Sequence, residues 1–205
     1  MTSNEDKKDK KREPRPPRKI SPEYLFRSGM YYLERYSSSI DNFRQVMSRK
    51  IIRSSKHYEE NPSKHFESLE ELIEKLIKLG YLNDEAYTRG QVRSYRRKGE
   101  GKRKIIQRIK LKGVDDDLIS HVIDEIDAED NQRFDRMDDD IDTINDPELK
   151  AALTYIKRKK LGIYRRKKDE KSKQKDLASL ARAGYSYNIA SKALDLSVDF
   201  ETEEI

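Results

Sequence analysis

The chain contains no cysteine and no tryptophan in 205 residues. Without cysteine, a disulfide scaffold, cysteine-ligated metal and thiol chemistry are excluded. Long apolar runs are also missing, and nowhere does a stretch approach the roughly 18 apolar residues that a membrane span needs. Met1–Lys19 is charged and proline-bearing with no apolar segment behind it, which does not read as a secretory leader. These absences point to a cytoplasmic protein with no membrane partner. Apolar residues are only 34% of the chain against 41% charged. Leu, Ile, Val and Phe make about a fifth of it, close to where disorder takes over. Any core must therefore be thin and stretched out.

What the sequence does have is periodicity. Ser21-Pro22-Glu23 supplies an N-cap, a proline at the first helical position and an acid for the helix dipole, opening a helix over Tyr24–Tyr36. Ser37–Ser39 interrupt it and cap a second helix with Phe43, Val46 and Met47 on one face. After a polar loop at Asn61-Pro62, a third helix is expected from about Ser68, with Leu69, Leu72, Ile73, Leu76, Ile77 and Leu79 at helical spacing and Gly80 as its stop. Asn83 or Asp84 restarts the scheme with Tyr87, Val92 and Tyr95. Ile105, Ile106 and Ile109 follow, then Gly113, then Leu118, Val122, Ile123 and Ile126. Asp146-Pro147-Glu148 starts it again, with Leu149, Leu153 and Ile156, then Leu177, Leu180 and Ala181, Gly184, and Ile189, Ala193 and Leu194 after a Ser186 cap.

Laying Gly113 on Gly184 puts Ile106, Ile109, Leu118 and Ile123 on Leu177, Leu180, Ile189 and Leu194, and Asp124 on Asp195. In the first unit Phe43 and Val46 match Ile106 and Ile109, and Leu69 and Ile73 match Leu118 and Val122, with an insertion between. The expected fold is all-α: an elongated array, curving right or left, of three tandem three-helix repeats that bury their faces by stacking. The expected divisions are a basic arm at 1–20, repeats at 21–82, 83–127 and 147–197, an acidic linker at 128–146 and an acidic tail at 198–205.

Charge is segregated. Arg89–Lys112 holds eleven Lys/Arg against Glu100 alone, and Lys150–Arg182 thirteen against three acids. Between them Asp115–Glu148 holds fifteen Asp/Glu against Arg133 and Arg136. Such fields favour anionic partners. The densest candidate contact surface is Arg93, Arg96, Arg97, Lys98, Lys102, Arg103 and Lys104. The second is Lys157, Arg158, Lys159, Lys160, Arg165 and Arg166. Tyr87 and Tyr95 share a helix face and could stack on bases, but that face is the only apolar one available, so they read as core beside Val92.

Four segments in order resemble the RecX family of recombination regulators: Tyr31–Tyr36 (YYLERY) with Phe43–Lys50, Leu76–Tyr87 (LIKLGYLNDEAY), Arg93–Gly101 (RSYRRKGEG) with Lys112-Gly113-Val114, and Lys159–Arg165 (KKLGIYR) with Ala181–Tyr187 (ARAGYSY). The likeness runs from about Ser21 to Ser197. Met1–Lys19, Arg53–Glu67 and Ala128–Asp146 depart from it. The resemblance implies a protein that is not an enzyme, takes no cofactor, and binds the RecA filament along its groove. There it restrains ATP hydrolysis, strand exchange and co-protease activity, with DNA as a secondary partner and the chain as a monomer.

Two other functions are weighed against this. A transcription factor using Ile105–Ile126 as a helix-turn-helix would want a basic second helix, and Asp115–Asp127 is acidic. A nuclease metal site on Asp138–Asp140 and Asp142 would need carboxylates converging on one point, whereas consecutive helical residues diverge. His57, His65 and His121 are scattered, with no i, i+4 partner apparent. Gly99 and Gly101 lack the preceding strand and following Gly-Lys-Ser/Thr of a nucleotide loop.

Overall fold

The computed structural model describes residues 16–134, 146–166 and 171–202, and among these every regular element is helical. The first unit holds α1 (Pro22–Leu33), α2 (Ile40–Tyr58) and α3 (Ser63–Lys78). The second holds α4 (Asp84–Arg97), α5 (Lys102–Lys110) and α6 (Asp116–Phe134). The third holds α7 (Pro147–Lys159), a 3₁₀ turn (Gly162–Tyr164), α8 (Ser172–Arg182) and α9 (Tyr187–Thr202). The caps are local chemistry. Ser21, Ser39, Asn83 and Asp146 each accept a hydrogen bond from a backbone N–H of the first turn, and Asp115 and Ser186 do the same for α6 and α9.

Each unit buries its own core. The first gathers Leu25, Phe43, Met47, Ile51, Leu69, Ile73, Leu76 and Leu82; the second Val92, Ile105, Ile109, Ile119, Val122, Ile123 and Ile126; the third Leu149, Ala152, Ile156, Leu180, Tyr185, Ala190, Ala193 and Leu194. The buried sets of α3 (Leu69, Leu72, Ile73, Leu76) and α6 (Ile119, Val122, Ile123, Ile126) have the same spacing, as do Phe43 and Met47 against Ile105 and Ile109. The first unit therefore matches the second one residue away from the register expected. Val46 and Ile106 are only half-buried, so neither marks the centre of its helix face. Between the second and third units the expected match holds down to an ion pair: Lys102–Asp124 (2.5 Å) recurs as Lys173–Asp195 (3.2 Å).

Several boundaries differ from the sequence reading. α3 begins at Ser63, because Asn61 Oδ1 accepts from the Ser63 N–H and hydroxyl and so caps the helix early. With α2 running on to Tyr58, most of the apparent insertion is extra helix. α1 stops at Leu33, α6 continues to Phe134 and α9 to Thr202. Ile77 and Leu79 lie exposed beyond the buried face of α3, and Ala181 is exposed while Ala183 is buried.

The units are joined by a device built twice. At the first joint the Ser39 hydroxyl, at the start of α2, donates to the Lys112 carbonyl, and Asp84 of α4 accepts from the Ile40 N–H (2.8 Å). At the second, the Gly101 N–H, at the start of α5, donates to the Ala183 carbonyl (2.9 Å), and Glu148 of α7 accepts from the Lys102 N–H (2.9 Å). In each case an acid in the first turn of one unit caps the middle helix of the unit before it, satisfying a backbone donor that helix cannot pair itself. The second joint adds Tyr185, whose hydroxyl donates to the Gly99 carbonyl (3.0 Å). Burial holds the Tyr185 phenol well above its ordinary range.

Candidate interaction surface

The basic blocks divide once folded. Arg96 is the most enclosed of the expected contact residues, its side chain 9% exposed. It pairs with Asp127 (2.6 Å) and Glu148 (2.7 Å), and donates to the Glu100 carbonyl (3.3 Å). Burial opposes the Arg96 charge, but Asp127 and then Glu148 outweigh it and hold the guanidinium above its ordinary range. Burial also raises the Asp127 carboxyl, in spite of Arg96 beside it. This arginine bolts α4 to α6 and to α7.

Its neighbours follow the same logic to varying degrees. Arg93 pairs with Glu129 (2.9 Å), and Arg89 with Glu125 (2.5 Å) and Glu129 (2.9 Å), making a ladder between α4 and α6. Lys102 pairs with Asp124, and Lys104 (3.8 Å) and Arg108 (3.1 Å) share the buried Glu100. In the third unit Arg165 grips the buried Asp176, which also accepts from the Gly162 N–H (2.8 Å) and fixes the 3₁₀ turn. The basic block and the first half of the acidic one are therefore largely partners of each other.

What stays outward is smaller. Arg97, Lys98 and Arg103 in the second unit, and Lys157, Arg158, Lys159, Lys160 and Arg166 in the third, are exposed and make no ion pair among the described residues. The fold brings part of the two sets together. Gly99 packs so tightly on α7 that an added Cβ would lie 2.8 Å from the Tyr155 N and 2.9 Å from its Cα. The C-terminal end of α4, with Arg97 and Lys98, thus meets α7 less than one turn before Lys157. Lys160 ends α7 in the left-handed conformation, φ 53°.

The tyrosines are packing residues. Tyr87 is buried, which pushes its phenol up to about 12, and Tyr95 is half-buried under Lys98 and Arg108. Two histidines do have acidic neighbours: His121 lies 3.3 Å from Glu125 at i, i+4, and His65 3.6 Å from Glu60. Among the described residues no group of three or more His, Asp or Glu is placed to hold a metal, and no helix is long and apolar enough to cross a membrane. The acidic run Asp138–Asp142 lies outside the described residues.

One surface escaped the sequence reading. Arg49, Arg53 and Lys56 stand at i, i+4 and i+7 on α2, all exposed, with no ion pair among the described residues. They are spread thinly along the chain, so block counting passes over them. Their helical spacing, on a helix whose one acid is Asp41, was the available signal.

Three-helix units, joined in series by acids capping the preceding unit, define a helical-repeat protein with exposed cationic patches, whose described residues gather no group of three metal-ligating side chains. Comparison with known proteins makes the assignment specific. Residues 83–123 match the family described as RecX, second three-helix domain. Regulatory protein RecX of Myxococcus xanthus (strain DK1622) is 34% identical over 190 residues, 92% of this chain and 93% of that protein. Regulatory protein RecX of Agrobacterium fabrum (strain C58 / ATCC 33970) is 31% identical over 125 residues, 60% of this chain and 56% of that protein. The crystal structure of RecX from Lactobacillus salivarius shares the fold with a TM-score of 0.57 at 20% identity, covering 85% of this chain and 97% of that one. The chain belongs to the RecX family.

Proposed function

We propose that this protein binds the RecA filament along its helical groove on single-stranded DNA and modulates it, mainly by inhibiting ATP hydrolysis, strand exchange and co-protease activity. It thereby regulates DNA repair and the SOS response. It acts as a cytoplasmic, monomeric binding protein and not as an enzyme. Its functional units are 21–82, 83–127 and 147–197, with arm, linker and tail at 1–20, 128–146 and 198–205.

The observation that carries this reading is the match to a regulatory protein RecX over 92% of the chain, on a structure of units joined in series. Three linked units reach several neighbouring filament subunits at once, and linkage raises the strength of individually weak contacts through effective concentration. Arg97, Lys98, Arg103, Lys157, Arg158, Lys159, Lys160 and Arg166 are the contact set we assign, with DNA phosphates as a secondary target. Arg96 and Arg165 drop out because their carboxylate partners already hold them.

The test is DNA-stimulated ATP hydrolysis by purified RecA. Stoichiometric addition of this protein is expected to suppress it, and an unchanged rate would sink the proposal. The expected suppression weakens in a variant with Lys157–Lys160 replaced by Ala.

A further inference from the structure

We infer that the outer face of α2 is a nucleic-acid backbone site, formed by Arg49, Arg53 and Lys56 with Arg18 beside them. It lies in the first unit, apart from the basic clusters of the second and third, and does not depend on the RecA reading.

α2 is unlike its counterpart α5. Where α5 stops before Gly113, α2 carries no glycine at the corresponding place and runs 19 residues, against nine for α5. The additional turns hold Ile52, Arg53, Lys56 and Tyr58 out to solvent. The chain preceding α1 is fastened onto them: Ser54 Oγ donates to the Arg18 carbonyl (3.0 Å), Tyr58 to the Pro17 carbonyl (2.9 Å), and Lys19 pairs with Glu60 (2.5 Å). These bonds set the Arg18 backbone beside Ser54, the neighbour of Arg53, and the Arg18 side chain is exposed.

The charge on this face differs in kind from that on α4. Other cations of α2 are committed, Arg44 to Glu70 and Asp41, and Lys50 to the Ser28 hydroxyl. Arg49 donates its Nε–H to the Gln45 carbonyl (3.2 Å), which leaves its terminal nitrogens outward. Like charges at i, i+4 destabilise a helix, and none of the three is ion-paired among the described residues, Glu60 at the helix end being taken by Lys19. A polyanion would relieve them. From Arg49 to Lys56 the helix rises about 10 Å, enough for the three long side chains to reach separate phosphates of one strand. Arginine forks suit phosphate oxygens. A row of exposed cations along one helix face suits phosphate oxygens, so the contact reads backbone and not sequence.

The experiment is a fluorescence anisotropy titration of a labelled oligo-dT with the full chain and no RecA, repeated between about 50 and 200 mM salt. Replacing Arg49, Arg53 and Lys56 by Ala is expected to weaken binding by about tenfold or more at low salt. It is also expected to flatten the log–log salt dependence by about two, three phosphates at about 0.7 each. Arg49→Lys/Arg53→Lys, which keeps the charge, retains most of the slope. All three residues are exposed, so circular dichroism and melting temperature are expected to stay unchanged. An alanine variant with wild-type affinity and slope overturns the site. Unchanged oligonucleotide binding together with weaker binding to DNA-free RecA overturns it in favour of an acidic protein surface.

Discussion

Arg96 and Arg97 follow one another at the end of α4, and the helix turns them about 100° apart. Arg97→Ala is expected to cost less than about 0.5 kcal/mol, as exposed substitutions do. Arg96→Ala strands Asp127 and Glu148, and for this largely but not wholly enclosed pair the cost is expected at about 2–4 kcal/mol, near the lower end for a broken buried pair. Urea titration of both variants separates the paired arginine from the exposed one. Asp84 gives a pH-dependent case. Burial raises its carboxyl above the usual range even though the Ile40 N–H and Arg44 favour the charge. A raised folded pKa means that the charged form costs stability, so this cost is present at neutral pH and is relieved as pH falls through the folded pKa. Asp84→Asn keeps an oxygen for the Ile40 N–H. It is expected to stabilise by less than about 1 kcal/mol at neutral pH, since the group is only half-buried, with the advantage shrinking in acid; thermal melts across pH check this.

Six helix starts were legible in the sequence because capping is a matter of neighbouring residues, while α3 began five residues before the expected Ser68. Ser21, Ser39, Asn83, Asp115, Asp146 and Ser186 all cap as their positions suggest. Helix ends without glycine were not. α2 lacks a stop where α5 has Gly113, and it ends with Glu59 at φ 54°. The first unit's register slipped for a related reason: Val46 looks apolar enough to define the face, while the buried pair is Phe43 and Met47. The contact surface was the least legible part. Arg96 finds Glu148 across 52 residues, and no local count of charges reveals that such a block is spent internally. The unglycined ends make a prediction of their own. Glu59 and Lys160 both sit in left-handed backbone that costs an ordinary residue roughly 1 kcal/mol. Lys160→Gly is expected to lose part of its gain with a cation that suits the negative helix end, whereas Glu59→Gly removes both the left-handed strain and an acid at that end. Glu59→Gly is therefore expected to raise stability by about 0.5–1 kcal/mol, and a denaturation midpoint equal to or below wild type would contradict it.

Across the whole molecule, stability depends on joints that are polar while the cores are apolar. In a linear repeat array, stability is approximately the sum of each unit's own folding and its nearest-neighbour interface. The second joint concentrates its interface on Glu148, which at once caps α5 through the Lys102 N–H and anchors Arg96. Glu148→Gln keeps an acceptor for the Lys102 N–H but removes the charge facing Arg96, and Glu148→Ala removes both. The third unit keeps its own core in either variant, since Leu149, Ile156, Leu180 and Leu194 pack with one another. The expected outcome is uncoupling and not collapse. Glu148→Ala is expected to weaken the joint by about 2–4 kcal/mol, from the lost cap and the stranded arginine. The third unit then unfolds ahead of the others, and hydrogen exchange shows α7–α9 opening separately from α4–α6. Gly99→Ala attacks the same joint by steric means, because its Cβ would run into the Tyr155 backbone while φ is held at +63°. If both variants instead unfold in one step with uniform exchange across α4–α9, the two units form a single cooperative block. The joint would then not be the place where this array can be taken apart.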